Sequence, residues 1–199
     1  SDFARNGDIS GANQWFSKIT PPPDDLCYAH LVHACFKAKD DNAAHSCWQM
    51  MLQSGVKPSL RAYTIVINAL SQRGDPENAE RWFNKISIDN LEPNVVVFNT
   101  MIQSYVQVSD SRGACKWFDK LVAANLKPTE VSFNMVLNAF AKNGDTKRAM
   151  AVLDKMEAAN LTPNVLSYTA VIDSFSKSQD QSAASQFLET IQGKGVELD

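Results

Sequence analysis

The sequence predicts an all-α solenoid of antiparallel helix pairs, and three observations carry that prediction. Tyr28, Tyr63, Phe98, Phe133 and Tyr168 stand 35 residues apart, so the chain is a tandem repeat with full repeats at 25–59, 60–94, 95–129, 130–164 and 165–199. The sixteenth place of every repeat is aspartate (Asp40, Asp75, Asp110, Asp145, Asp180) and the twentieth is alanine (Ala44, Ala79, Ala114, Ala149, Ala184). The thirty-fourth place is proline in four repeats (Pro58, Pro93, Pro128, Pro163) and Leu198 in the last.

Each repeat reads as helix A, a stop, helix B and a second stop. In repeat 130–164, Val131, Phe133, Val136, Leu137 and Phe140 follow the spacing of an apolar helical stripe. Asn143-Gly144 closes that helix, because glycine takes the left-handed conformation without strain, and Asp145 is placed to cap the amides that open helix B. Helix B carries Ala149, Val152, Leu153 and Met156 inward and stops at Asn160-Leu161. Gly55-Val56, Asn90-Leu91, Asn125-Leu126 and Gly195-Val196 are the equivalent stops, each a left-handed residue followed by an apolar contact. Proline two or three residues later forbids continuation in four of the repeats.

A partial repeat precedes these at 1–24. Asn6-Gly7-Asp8 matches Asn143-Gly144-Asp145, and Ala12, Phe16 and Ile19 take the places of Ala149, Leu153 and Met156. Solenoids need polar caps at both ends, and neither end shows one, so the sequence reads as a segment of a longer protein. With 44% hydrophobic and 21% charged residues the composition is that of ordinary soluble material, without a secretory signal or an apolar run long enough to enter a membrane. Cys27, Cys35, Cys47 and Cys115 lack the CxxC spacing of zinc or redox sites and read as small buried hydrophobes.

The period separates this chain from tetratricopeptide repeats, which run at 34 residues with a glycine in the eighth place. Here that place holds Val32, Ile67, Ile102, Leu137 and Ile172. Repeat openings such as Val95-Val96-Val97-Phe98-Asn99-Thr100-Met101-Ile102 and endings such as Leu161-Thr162-Pro163-Asn164 resemble the pentatricopeptide repeat family over essentially the whole chain. The resemblance implies a right-handed superhelix whose A helices line a concave face. It also implies single-stranded RNA as partner, bound one base per repeat in mitochondria or chloroplasts.

In that family the fifth and last residues of a repeat read a base edge, and the second packs against base faces. Carried over, the readers are Thr64 with Asn94, Asn99 with Thr129, Asn134 with Asn164, and Thr169 with Asp199. The resemblance assigns them adenine, pyrimidine, pyrimidine and guanine, from 5′ to 3′. Ala29 with Ser59 leaves the first repeat a poor reader, because alanine has no hydrogen-bonding side chain. Leu26, Val96, Val131 and Leu166 occupy the second place and suit stacking, whereas Arg61 departs from the pattern. Lys37, Lys142 and Lys177 share the thirteenth place, where the family's lysine approaches phosphate; Gln72 and Gln107 replace it in the second and third repeats. Thr and Asn at helix starts also have ordinary capping reasons to be there.

Charge argues the other way. The net formal charge is −3, where nucleic-acid binders usually show a basic footprint. The A-helix places hold Lys37, Arg61, Arg73, Lys142 and Lys177 against Asp25, Glu130 and Asp173, so the expected concave face is mildly positive and the remainder negative. No catalytic constellation is present: the HxE and CxxC segments of a zinc deaminase are absent. Cys27, His30 and His33 drift around a helix instead of sharing a face, so no metal or cofactor is expected. Two readings stand. One is an RNA-binding module without chemistry of its own; the other is a structural or assembly subunit whose solenoid contacts other proteins.

Overall fold

The computed structural model describes residues 23–178 and 181–193. Most of the partial repeat expected at 1–24 lies outside them, as do Asp180, Gly195, Val196, Leu198 and Asp199. The described residues form helices and their connections, without a strand. In chain order the helices are α1 (Asp25–Lys37), α2 (Asp41–Gln53), α3 (Leu60–Arg73), α4 (Pro76–Ile88), α5 (Val95–Gln107), α6 (Ser111–Ala123), α7 (Glu130–Lys142), α8 (Thr146–Ala158), α9 (Val165–Ser178) and α10 (Gln181–Gly193). By packing, the chain divides into two compact units, one up to Ser104 and one from Tyr105.

The first turn of each B helix is made by the recurrent aspartate. Carboxylates of Asp40, Asp75, Asp110 and Asp145 accept from the backbone N–H groups of Ala43, Asn78, Gly113 and Arg148 at 2.8, 3.1, 2.9 and 3.2 Å. Each of these aspartates also donates its own N–H back to the closing turn of helix A, as Asp145 does to Phe140 O at 3.0 Å. One residue thus ends one helix and begins the next. Lys39, Gly74, Ser109 and Gly144 precede these aspartates with φ of 61, 75, 59 and 65°. The B helices close the same way, at Gly55, Asn90, Asn125 and Asn160, and the apolar residue after each donates back to the carbonyl five residues earlier.

Replacing Asp145 by alanine removes the cap of α8 and is expected to cost about 0.5–2 kcal/mol, while asparagine should recover most of it. Urea unfolding of the two variants checks this, and equal midpoints for wild type and Asp145→Ala would show that the cap carries no stability.

In the N-terminal unit α1 packs on α2 and α3, and α3 on α4. The core between them is aromatic: Trp48 and Trp82 meet edge to face at 4.7 Å between ring centroids, with Phe36 and Tyr63 at 6.1 and 6.3 Å from Trp82. Tyr63 donates its hydroxyl to Asp89 Oδ2 at 2.5 Å; burial first, then that carboxylate, pushes the phenol above its usual range. In the C-terminal unit α7 packs on α6, α8 and α9, and α9 on α8 and α10. Phe118 and Phe133 meet there at 4.9 Å. The twentieth-place alanines Ala44, Ala79, Ala114 and Ala149 are wholly buried, so helices A and B approach where a larger side chain would not fit.

Two expectations need correction. Val131 leaves the apolar stripe of its helix and is 54% exposed, because its place precedes the turn that α7 buries against its neighbours. Of the four cysteines, Cys35 and Cys47 are buried, with sulfurs 3.9 Å apart, whereas Cys27 and Cys115 are only half-buried. The neighbouring thiol and burial push the Cys35 thiol well above the usual range.

Candidate nucleic-acid interface

Last-place residues are first of all helix caps. Ser59 Oγ accepts from Ala62 N–H at 3.3 Å, Asn94 Oδ1 from Val97 N–H at 3.1 Å and Asn164 Oδ1 from Ser167 N–H at 3.2 Å. Thr129 caps α7 through a reciprocal pair with Ser132, whose hydroxyl accepts from Thr129 N–H at 3.1 Å. Capping consumes one oxygen. An asparagine in this place keeps its Nδ2 group for something else, and Asn94 and Asn164 are both exposed.

Fifth-place residues divide by type. Ala29 is fully buried in the N-terminal unit, so the first repeat offers nothing there. Thr64 is half-buried and donates its hydroxyl to Leu60 O at 2.8 Å; Thr169 is exposed and donates to Val165 O at 2.8 Å. Both threonines therefore have their proton taken by their own helix and present an oxygen that accepts. Asn99 and Asn134 are half-buried, with amides that can both donate and accept.

The C-terminal unit brings several of these residues together. Between α7 and α9 lies a groove of about 420 Å³, lined by Val131, Asn134, Asn138, Leu166, Thr169 and Asp173 among others. Asn134 Nδ2 lies 3.5 Å from Asn164 Oδ1, so the fifth and last residues of the fourth repeat stand side by side. Val131 and Leu166, the second-place residues, line the groove at 54% and 69% exposure. In the N-terminal unit Val96 is 60% exposed, Arg61 is exposed and Leu26 is half-buried. Apolar side chains held in water at one repeat place lack a packing reason in the folded chain.

The thirteenth-place lysines Lys37, Lys142 and Lys177 are exposed. Lys142 extends its amine to Val106 O at 3.5 Å, near the C-terminus of α5, where a cation is favourable. Charge also departs from the sequence expectation. Arg112, Lys116 and Lys120 recur every fourth residue on one face of α6 and, with Arg148 of α8, line a groove of about 550 Å³ over Phe140. The B-helix side of the C-terminal unit is therefore basic in part, because helical spacing collects cations that a sum over the sequence dilutes.

Among the described residues no group of three His, Cys, Asp or Glu gathers around one point, Cys27, His30 and His33 included; burial lowers the pKa of both imidazoles and raises that of the Cys27 thiol. Among the same residues no helix is long and apolar enough to cross a membrane.

Comparisons with known proteins place this arrangement. The PPR repeat family matches residues 23–72, 93–142 and 128–177, and a single PPR repeat matches 61–91. A chloroplastic pentatricopeptide repeat-containing protein of Arabidopsis thaliana is 29% identical over 86 residues, which are 42% of this chain and 9% of that protein. The solved structure of the pentatricopeptide repeat protein PPR10 from maize superimposes with a TM-score of 0.81 at 24% identity, covering 99% of this chain and 28% of that one. PPR10 in complex with an 18-nucleotide psaJ RNA element gives 0.73 at 24% identity, covering 99% of this chain and 29% of that one. The PPR domain of Arabidopsis thaliana protein-only RNase P 1, in complex with tRNA, gives 0.65 at 18% identity over 84% of this chain and 89% of that one. The chain thus spans under a third of PPR10 and about a tenth of the curated relative. These likenesses establish an all-α solenoid of antiparallel helix pairs. With repeat matches running from residue 23 to 177 on that fold, the chain belongs to the pentatricopeptide repeat family.

Proposed function

We propose that this chain binds single-stranded RNA along its A-helix face, one base per repeat, as a recognition module of an organellar protein and without catalytic residues of its own. The observation that carries the proposal is the groove between α7 and α9, lined by Asn134 and the exposed apolar side chains of Val131 and Leu166, with Asn164 in contact with Asn134. Polar groups that select an edge, framed by apolar groups that cover a face, match what an unstacked base offers. PPR10 and the RNase P 1 domain, each solved with RNA, and a chloroplastic relative support the same reading.

Hydrogen-bond polarity gives the reading chemical content. In the second repeat Thr64 offers an acceptor, and Asn94, whose Oδ1 caps α5, offers a donor. Adenine presents the complement, an N6 donor beside an N1 acceptor. Taken with the bases that the family resemblance implies for the other repeats, the proposed core is A-pyrimidine-pyrimidine-G, read by Thr64/Asn94, Asn99/Thr129, Asn134/Asn164 and Thr169/Asp199. Leu26, Val96, Val131 and Leu166 are proposed to stack, and Lys37, Lys142 and Lys177 to meet phosphates.

The test is a titration of the 199-residue chain with labelled RNAs containing or scrambling that core, repeated over a range of salt. Preference for the core is expected. Three phosphate contacts give a log K against log salt slope of about −2, from roughly −0.7 per contact on a single strand. A much steeper slope would move the phosphate path to the Arg112, Lys116, Lys120 and Arg148 groove. No binding at low salt would leave the second reading, a scaffold for protein subunits, which the attachment of Lys142 to Val106 O favours.

A further inference from the structure

The third place of the repeat changes from apolar to polar along the chain. It is Cys27, Ala62 and Val97 in the first three repeats and serine, Ser132 and Ser167, in the last two. Ser167 is wholly buried, a position where a hydroxyl is tolerated only if its hydrogen bonds are made.

The partners of Ser167 are the two proposed base-reading residues of the preceding repeat. Its Oγ accepts from Asn164 N–H at 3.2 Å and lies 2.6 Å from Asn134 Oδ1, 3.2 Å from Asn164 Oδ1 and 3.7 Å from Met156 Sδ. A hydroxyl has one proton. The shortest contact takes it, so Ser167 donates to Asn134 Oδ1. Asn164 Oδ1 is already held by Ser167 N–H at 3.2 Å. Both amide oxygens are thereby turned into the protein. Flipping Asn134 would bring its oxygen to about the 3.5 Å that now separates its Nδ2 from Asn164 Oδ1, setting two acceptors against each other.

We infer that Ser167 is a positioning residue: its buried hydroxyl holds the amide oxygen of Asn134 while its backbone N–H holds that of Asn164, so both Nδ2 groups are left outward and the fourth repeat presents two hydrogen-bond donors. The inference rests on the base-reading proposal above and deepens it. Two donors match the adjacent N3 and O2 acceptors of cytosine, whereas uracil opposes them with its N3–H. The N-terminal unit supplies a contrast within the chain. Val97, at the same place, has no hydroxyl, and Thr64 there bonds its own helix at Leu60 O.

The experiment is competition binding of the 199-residue chain to two RNAs that differ only at the base facing the fourth repeat, cytosine or uracil. Wild type is expected to prefer cytosine by roughly tenfold or more, the scale of one good base-edge discrimination. Ser167→Ala removes the hydroxyl bond and leaves only the 3.5 Å contact with Asn164 Oδ1 to orient Asn134, so the ratio should fall toward unity while discrimination at the adenine of the second repeat persists. Ser167→Thr, which keeps the hydroxyl, should restore the ratio. Alanine is native at this place in the second repeat, as Ala62, so the repeat accommodates it, and matched melting curves confirm the fold. An unchanged ratio in Ser167→Ala, with RNA still bound, overturns the role of Ser167 and leaves base reading standing. Absence of RNA binding by wild type overturns both.

Discussion

Replacing Trp82 by alanine is expected to destabilise the N-terminal unit by about 3–5 kcal/mol, the range for deleting a large buried aromatic. Trp82 is 2% exposed and touches two successive helix pairs, through Phe36 and Trp48 of the first and Tyr63 of its own. Its ring also carries the Lys85 ammonium at 3.9 Å, so the loss includes a cation–π contact. In a stacked array each repeat leans on its neighbours, and a hole at the junction weakens both sides. Urea unfolding followed by helical circular dichroism gives the total, and amide exchange locates it. Exchange should rise in α1 to α4 first. A loss below about 1 kcal/mol would mean that the cluster repacks around the gap and that the aromatic core does not bind these repeats together.

Asn164→Asp is expected to invert base choice at the fourth repeat. The carboxylate keeps one oxygen on Ser167 N–H, so the cap of α9 survives and stability should change little. Its other oxygen replaces an Nδ2 donor with an acceptor. Cytosine N3 is then opposed and uracil N3–H is matched, so preference should move from cytosine toward uracil by about 1–3 kcal/mol, or roughly five- to 150-fold in relative affinity. Competition between the same two RNAs reads this directly. Weaker binding to both, with the ratio unchanged, would show that the last residue of this repeat acts only as a helix cap.

How much was legible varies from residue to residue. Asp40, Asp75, Asp110 and Asp145 were readable as caps because capping is local: the acceptor and its N–H donor are three residues apart. Gly144 announces its left-handed turn by residue type, but Lys39 and Ser109 adopt the same conformation without a glycine and are placed only by the period. The second-place exposure of Val96, Val131 and Leu166 was half legible. Their register was clear, yet helical spacing alone put Val131 in the buried stripe, since periodicity does not say where the neighbouring helix ends. The basic groove of Arg112, Lys116, Lys120 and Arg148 is not legible in the chain's charge sum, because acidic residues elsewhere outnumber these cations.

Local signals in the chain are enough to give the period, the fold class, the family and the places of the repeat that are candidates for reading bases. Helix signals, caps and stops act over three to five residues, and each is repeated until chance is no longer an explanation. What those places present depends instead on packing between repeats. Asn134, Asn164 and Ser167 are brought together by packing α9 on α7, across as many as 33 residues of chain. Whether an amide shows its donor or its acceptor then depends on a hydroxyl from the next repeat. Hydrogen-bond polarity is a property of the assembled cluster, and the sequence of one repeat does not contain it.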